Sequence, residues 1–501
     1  MILLVMLAVP ALGALALLLP AARFLPTDTA VRRYGAAVTG ITLLPALLAA
    51  AAFDHGDPRR MQLEFDRAWA PAIDLRFHLG VDGVSLPLVL LTALLTFLCL
   101  VYTLRHPPQG GSARLLIASV LVLEVGMLGT FVALDLLLFF VFFEVVLIPM
   151  YLVIALWGGA GRRAAAWKFI LYTLLGSGLL LAGLLVVGTN AGTLDMTALA
   201  EAPGQGLTRT AQITAFALIG LGLAIKVPMW PLHTWLPDAH TEAPTIGSVL
   251  LAGVLLKMGT YGLVRIALPA APEGAVVWAP WLGLMAVIGI VYGALACLAQ
   301  RDLKRLIAYS SIGHMGFVLL GIATLTPVGV NAALLGNIAH GLITGLLFFL
   351  AGGVKDRYGT GELDSLGGGM LTKAPLLASF LTFASVASLG LPGLAGFWGE
   401  MLALLGAYRP AEALPRETFV TFMAVGALGA VLTAAYFLRL LAKITHGPVA
   451  EHRRRDALPG LTLAEYAAWV PLVALTLLVG LWPKLLLDLT TAPVTALLGG
   501  G

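Results

Sequence analysis

GLAIKVPMWPLHTWLPDAHTEAPTIGSVLLAGVLLKMGTYGLVR, residues 222–265, is the stretch that decides the fold. It sets two lysines, Lys226 and Lys257, inside apolar runs otherwise long enough to be membrane helices, and it interrupts the first run with Pro228 and Pro231. A lysine at the centre of a membrane helix costs roughly 2.5–3.5 kcal/mol even on the lenient insertion scale, so it faces a bundle interior or a wet cavity and has a task. The two prolines remove backbone donors and kink the helix, leaving free carbonyls beside Lys226. In hydrocarbon such a break persists only where protein or a water-filled cavity surrounds it. Residues 246–256, ahead of Lys257, are apolar or small except for Ser248, which sets this lysine too deep for simple snorkelling to a helix end. The stretch reads as part of a path for protons or small cations.

Outward from it, the chain has 59% hydrophobic and 11% charged residues and a mean hydropathy of +0.96, against about 25% charged residues in soluble domains. Apolar runs long enough to cross a hydrocarbon core of about 30 Å recur throughout. They predict fourteen spans, at 2–22, 31–53, 82–104, 115–133, 136–157, 167–188, 211–231, 244–268, 277–299, 304–324, 329–352, 374–405, 417–442 and 465–487. The alternation of a membrane barrel is absent, so the expected class is an all-α polytopic membrane protein.

The first run has no basic residue ahead of it and Arg23 after it, which reads as a retained first helix. Loops after odd-numbered spans hold most of the chain's 30 Lys and Arg: Arg23, Arg32, Arg33, Arg105, Arg114, Arg162, Arg163, Lys168, Arg301, Lys304, Arg305, Lys355, Arg357, Lys373, Arg439, Lys443, Arg453, Arg454 and Arg455. Cations mark the cytoplasmic side, so both termini are expected on the other side, and the net charge of +4 needs no nucleic-acid partner. The segment from Asp54 to Asp82 becomes an exofacial loop along the membrane surface. Cys99 and Cys297 lack the spacing of a metal or cluster site, and the Gly-rich pieces at 158–161 and 367–369 do not follow the phosphate-loop pattern. No loop exceeds about 30 residues, too short for a nucleotide-binding domain, so any redox or ATP chemistry belongs to partners.

Further titratable residues sit within the spans. Glu124 lies in the fourth; Glu144, followed by Pro149, lies in the fifth. A carboxyl group there is protonated, paired or wet. Glu144 is the expected partner of Lys226, and its distance would set how tightly the lysine holds a proton. His233 and His240, with Asp238 and Glu242, flank the turn after the seventh span and are candidates for lining the way in for protons; solvated loop residues are the plain alternative. His314 and His340, with Ser310, Ser311, Asn337 and Thr344 nearby, fit a hydrogen-bonded chain, since imidazole accepts and donates protons near neutral pH. The twelfth span repeats the broken pattern, with Gly390, Pro392, Gly393 and Gly396 ahead of Glu400. Broken spans seven and twelve are an odd number apart, which predicts two inverted five-helix repeats. The resulting units are 1–110 (spans one to three), 111–270 (first repeat), 271–445 (second repeat) and 446–501 (a cytoplasmic loop and the last helix).

FFEVVLIPMYLVIALWGG, KVPMWPLHTWLPDAHTEAPT, LLKMGTYGLVR, DLKRLIAYSSIGHMGF and LPGLAGFWGE together resemble the antiporter-like membrane subunits of respiratory complex I, over spans four to thirteen. Among the three related types, the chain is similar to the M type, the counterpart of mitochondrial subunit four: Glu400 stands where the L and N types carry lysine, and no long lateral helix follows the last span. The resemblance implies a proton-translocating membrane subunit of NADH:quinone oxidoreductase in a bacterial plasma membrane, with Glu144, Lys226, Lys257, His314, His340 and Glu400 as its proton path. It implies no cofactor in this chain; NADH, FMN, iron–sulfur clusters and quinone belong to partner subunits, which include neighbouring antiporter-like subunits. The alternatives are a subunit of a multisubunit Na⁺/H⁺ antiporter or of a membrane-bound hydrogenase, and a passive scaffold whose charges only hold helices together.

Overall fold

The computed structural model describes residues 1–19, 25–449, 451 and 457–499; Arg23, Arg453, Arg454 and Arg455, counted above on the cation-rich side, lie outside the described residues. Apart from short helical turns, the chain order is α1 (Ile2–Leu18), α2 (Asp28–Ala52), β1 (Gln62–Ala70), β2 (Leu75–Val81), α3 (Leu86–Thr103), α4 (Ala113–Val132), α5 (Leu136–Trp157), α6 (Arg162–Ala191), α7 (Arg209–Lys226), α8 (Trp235–Glu242), α9 (Thr245–Ala270), α10 (Pro272–Ala299), α11 (Leu303–Ala323), α12 (Pro327–Tyr358), α13 (Pro375–Ser388), α14 (Ala395–Tyr408), α15 (Arg416–Ile444), α16 (Leu463–Leu481) and α17 (Lys484–Leu497). Among the described residues eleven helices are long and apolar enough to cross a membrane, and α1 and α13 are shorter apolar helices. The twelfth predicted span is divided into α13 and α14, and the seventh stops at Lys226 with α8 following beyond its predicted end, because their Pro/Gly segments cannot continue a helix.

Side-chain caps start several helices where the sequence supplies them: Asp135 accepts from the backbone of Leu137 and Leu138, Asp302 from Arg305, and Thr326 from Gly329. Burial separates the helices into two kinds. The apolar window of α9 is 100% buried and that of α12 94%, whereas α15 reaches only 28% and α6 39%. The outer helices therefore face lipid, and the helices carrying Lys257 and His340 are enclosed by the rest of the chain.

A backbone pattern occurs twice. Leu136 donates to Leu194 at 2.9 Å and Met196 to Leu134 at 2.8 Å; with every position shifted by the same amount, Leu303 donates to Gly361 at 2.9 Å and Leu363 to Arg301 at 2.7 Å. Each bridge ties the start of one helix (α5 or α11) to the segment after the next (α6 or α12). The two bridges lie on opposite faces, because α5 crosses from Asp135 to Gly158, and the Gly159 N–H bonds the Glu242 carbonyl beside α11 at 2.8 Å. On that face Asp238 joins Lys168 at 2.8 Å and Arg305 at 3.4 Å.

Two local expectations change. The segment expected to be an exofacial loop is an antiparallel hairpin of β1 and β2, folded because Leu75, Phe77, Leu79 and Val81 alternate with Arg76, His78 and Gly80. Arg76 grips Asp66 with two bonds at 2.9 and 2.6 Å, and His78 lies 3.2 Å from both Asp195 and Glu64. The hydrogen bond His78 donates to the Asp195 carboxylate pushes the His78 pKa up. The last predicted span ends early, at Leu481, since Pro483 turns the chain into the separate helix α17.

Candidate functional site

Lys257 lies in α9 between two π-helical turns, Leu251–Leu255 and Leu263–Ala267. A π turn takes up an extra residue and displaces backbone carbonyls from the regular ladder. The Ala252 carbonyl in the first π turn accepts from Lys257 Nζ, and His340 Nδ1 on α12 lies 2.6 Å from the same ammonium. Lys257 is fully buried. It has no lipid contact, and its charge is met by a carbonyl and an imidazole in place of a carboxylate.

From His340 the row continues. Its ring centre is 5.8 Å from that of His314 on α11. His314 Nδ1 is 2.9 Å from Glu400 Oε1 on α14, and its Nε2 is 2.9 Å from Ser388 Oγ at the end of α13. These groups surround a cavity of about 30 Å3 lined also by Thr344. His340 Nε2 and Thr344 Oγ1 have no protein partner. A space of this size holds a water, which needs about 10–15 Å3 by the same measure. Thr260 of α9 donates to Asn337 of α12 at 3.1 Å, whereas Ser310 and Ser311 spend their hydroxyls on the Ile307 carbonyl of their own helix.

Lys226 is the last residue of α7, where a cation complements the helix dipole. The break after it is satisfied locally: Trp235 Nε1 donates to the Ile225 carbonyl at 2.9 Å, and the Met229 N–H to Ala224 at 2.9 Å. The Lys226 ammonium lies 4.6 Å from the centre of the Phe143 ring, a cation–π contact. Glu144, the next residue, takes a hydrogen bond from Ser177 Oγ of α6. Glu144 is near enough to act on Lys226 electrostatically, as expected, but among the described residues no direct ion pair joins Lys226 to a carboxylate, so the pair is open. Gly259 lets the lysine approach α9, since a β-carbon there would lie 2.6 Å from Val227 Cγ2 and 3.3 Å from Lys226 Cβ. Gly390, at φ +81°, does the same for the second break, where a β-carbon would lie 3.0 Å from Glu400 Oε2.

The two loop histidines are not solvated. His233 is buried with its ring against Tyr292, 4.9 Å between centres; His240 is fully buried and stacks on Phe348 at 4.5 Å. Both His240 nitrogens and His233 Nδ1 lack partners. Glu124 is fully buried with neither oxygen bonded. Cys99 and Cys297 are buried, their thiols directed at the carbonyls of Ile246 and Leu306. One buried ion pair escaped the sequence reading, Arg265 with Asp82 at 2.5 Å, because each was counted as a helix end. Large cavities open at either face: about 650 Å3 on the cation-rich side, lined by Tyr102, His106, Glu242, Thr245 and Lys304, and about 760 Å3 on the hairpin side, lined by Arg60, Glu64, Asp82 and Arg265.

Residues 133–428 match the family described as NADH:quinone oxidoreductase/Mrp antiporter, transmembrane. The chain belongs to this family. The matched segment contains all six residues from Glu144 to Glu400. NADH-quinone oxidoreductase subunit M of Rhodobacter capsulatus is 42% identical over 461 residues, covering 90% of this chain and 87% of the relative. A chain of respiratory complex I from Thermus thermophilus with bound NADH superposes with a TM-score of 0.86 at 33% identity, covering both chains completely. A chain of the Mrp complex from Dietzia sp. DQ12-45-1b reaches 0.84 at 23% identity, over 99% of this chain and 97% of that one, a likeness of fold alone.

Proposed function

We propose that this chain is the proton-translocating membrane subunit, of the M type, in an NADH:quinone oxidoreductase. The observation that carries the reading is the row Lys257, His340, His314 and Glu400: Lys257 lies 2.6 Å from His340 and His314 2.9 Å from Glu400, and the two imidazoles, 5.8 Å between ring centres, line one water-sized cavity. Each step joins groups that exchange a proton without leaving their positions, and imidazoles do so near neutral pH. Together with Glu144 and Lys226 these residues form the path. Protons enter from the cytoplasmic, cation-rich face past His240 and His233, load Lys226 and the Lys257–His340–His314 row, and leave by way of Glu400. The charge of Glu144 is set by the neighbouring antiporter-like subunit, which couples one pump to the next.

The chain has no redox centre of its own. NADH, FMN, the iron–sulfur clusters and quinone belong to the other membrane and peripheral subunits of the complex, and electron transfer there drives translocation here. The chain spans a bacterial plasma membrane with both termini outside the cytoplasm, and 111–270 and 271–445 are the inverted repeats; the recurring bridge at α5 and α11 supports that division. Identity of 42% to a subunit M, against 23% to the Mrp chain, favours this assignment over a Na⁺/H⁺ antiporter subunit.

The test is Glu144→Gln in the assembled complex. Redox-driven proton transport is expected to fall to background while the complex still assembles. A normal ratio of protons to electrons would rule out the coupling role.

A further inference from the structure

We propose that His106 is the proton-collecting group at the mouth of the cavity on the cation-rich face, and that its proton passes inward along Tyr102 and Thr245 toward His240. The proposal rests on reading the chain as a proton pump.

His106 follows α3 and draws three elements together. Its Nδ1 is 2.8 Å from Asp356 at the end of α12; its Nε2 is 3.2 Å from Thr462 Oγ1, just ahead of α16, and 3.7 Å from Glu465 Oε2. The Thr462 hydroxyl donates to Glu465 Oε2 at 3.1 Å, so toward His106 it presents lone pairs. Both ring nitrogens then face acceptors, which an imidazolium satisfies with its two N–H donors. When the Nε2 proton leaves, the Thr462 hydroxyl can turn to the bare nitrogen. Glu465 loses only that bond and keeps Arg357 Nη1 at 2.6 Å, Arg357 Nη2 at 2.9 Å and the Thr462 backbone N–H at 2.7 Å. Release of the Nε2 proton takes one hydroxyl rotation, and the ion pair of Glu465 with Arg357 stays in place. The charged groups around it are Asp356 and Arg357 of α12, Glu465 of α16 and Arg105 beside it in sequence, with Lys355, Lys304, Glu242 and Asp302 on the same cavity.

The inward side carries buried polar groups whose hydrogen-bonding capacity is not fully used. The Tyr102 ring stacks on His106, with centres 4.6 Å apart and planes at 16°, and its buried hydroxyl, with Asp356 nearby, has no partner in good hydrogen-bond geometry. A β-carbon on Gly352 of α12 would lie 2.5 Å from Thr245 Oγ1 and 3.1 Å from Tyr102 Oη, so the two hydroxyls border one space that only glycine leaves free. Thr245 opens α9, whose Ser248 donates to the His240 carbonyl at 3.1 Å. Both ring nitrogens of this fully buried His240 stand unpaired. Buried polar groups of this kind are costly unless water reaches them, and His106, Tyr102 and Thr245 all line the same cavity of about 650 Å3. The transfer involves a proton alone: cavity water accepts it from Nε2, and bulk water restores it.

The test is NADH-driven proton transport by membrane vesicles carrying the assembled complex, measured from about pH 6 to about pH 9, where imidazole changes charge. His106→Gln keeps hydrogen-bonding capacity and cannot titrate. Transport at the acid end is expected to match the parent, to drop about fivefold at the alkaline end where protons are scarce, and to recover when imidazole is added. Transport equal to the parent at every pH overturns the proposal. So does a loss that is uniform with pH, follows the amount of assembled complex and ignores imidazole. Should His106→Gln fail to assemble, Tyr102→Phe keeps the stacked ring and removes only the hydroxyl: the same alkaline loss supports the relay, and parent-like transport overturns it. Lys257→Ala, run in parallel, separates the two readings. Transport lost in Lys257→Ala but intact in His106→Gln removes the collector and leaves the pump; transport intact in both removes the pump as well.

Discussion

The two broken helices hold their carboxylates in opposite ways. At the first break Lys226 ends α7 over the Phe143 ring, and Glu144 is held away by Ser177, so acid and base are close but unjoined. At the second break His314 and Glu400 are joined at 2.9 Å, with Ser388 on the other ring nitrogen and a small cavity beside them. An open pair can respond to an outside influence by closing; a closed one passes a proton along. On the proposed reading, the two related breaks serve different tasks, a switch at the first and a conductor at the second, with Lys257 and His340 between them.

That contrast can be broken most directly at the link. Lys257→Ala leaves the Ala252 carbonyl and His340 Nδ1 without their shared donor, and NADH-driven proton transport is expected to fall about tenfold or more, the scale of a lost proton-transfer group. Transport near the parent rate would show that the two halves do not communicate through Lys257. Gly259→Ala tests whether the first break needs the close approach of Lys226 to α9. The added methyl meets Val227 and Lys226 and should destabilise the subunit by about 1–3 kcal/mol, the usual cost of overpacking, read as a lower midpoint of thermal inactivation.

Ser177→Ala sharpens the comparison by converting the open pair into a closed one. Glu144, freed from its hydroxyl, should pair with Lys226 and slow transport about threefold, with a shift of the Glu144 carboxyl band in infrared difference spectra. An unchanged band would mean that Ser177 does not hold the carboxylate. The smallest effect lies outside the membrane. The His78 pKa is raised by Asp195, so the latch it forms with Asp195 and Glu64 is complete below the ordinary value of 6.5 and is lost as pH rises through the raised one. Protection of the hairpin from protease should weaken over that alkaline range, by about 1 kcal/mol or less because the carboxylates on the buried His78 are partly solvated, and His78→Gln should remove the pH dependence.

Much of the site was legible because an ionisable residue in an apolar run is expensive wherever it lies. Lys226, Lys257, His314, His340 and Glu400 were all readable on that ground, and so were both breaks, from their prolines and glycines. The π turns around Lys257 were not, since they arise from how α9 packs and leave no residue signature. The hairpin was written in an alternating pattern, but the charges around it disguised a structured element as a surface loop. His233 and His240 read as loop residues and are buried, because the loop folds back between α10 and α12.

Membrane residence, the spans and their interruptions, and the identity of the costly residues follow from composition and order alone, because the price of removing a side chain from water is set by that side chain and its near neighbours. Which of those residues meet was decided by the packing of helices distant in sequence. Lys257 found His340, and Glu144 found Ser177 in place of Lys226, because a hydrogen bond requires placement to a fraction of an ångström, which only the assembled bundle provides.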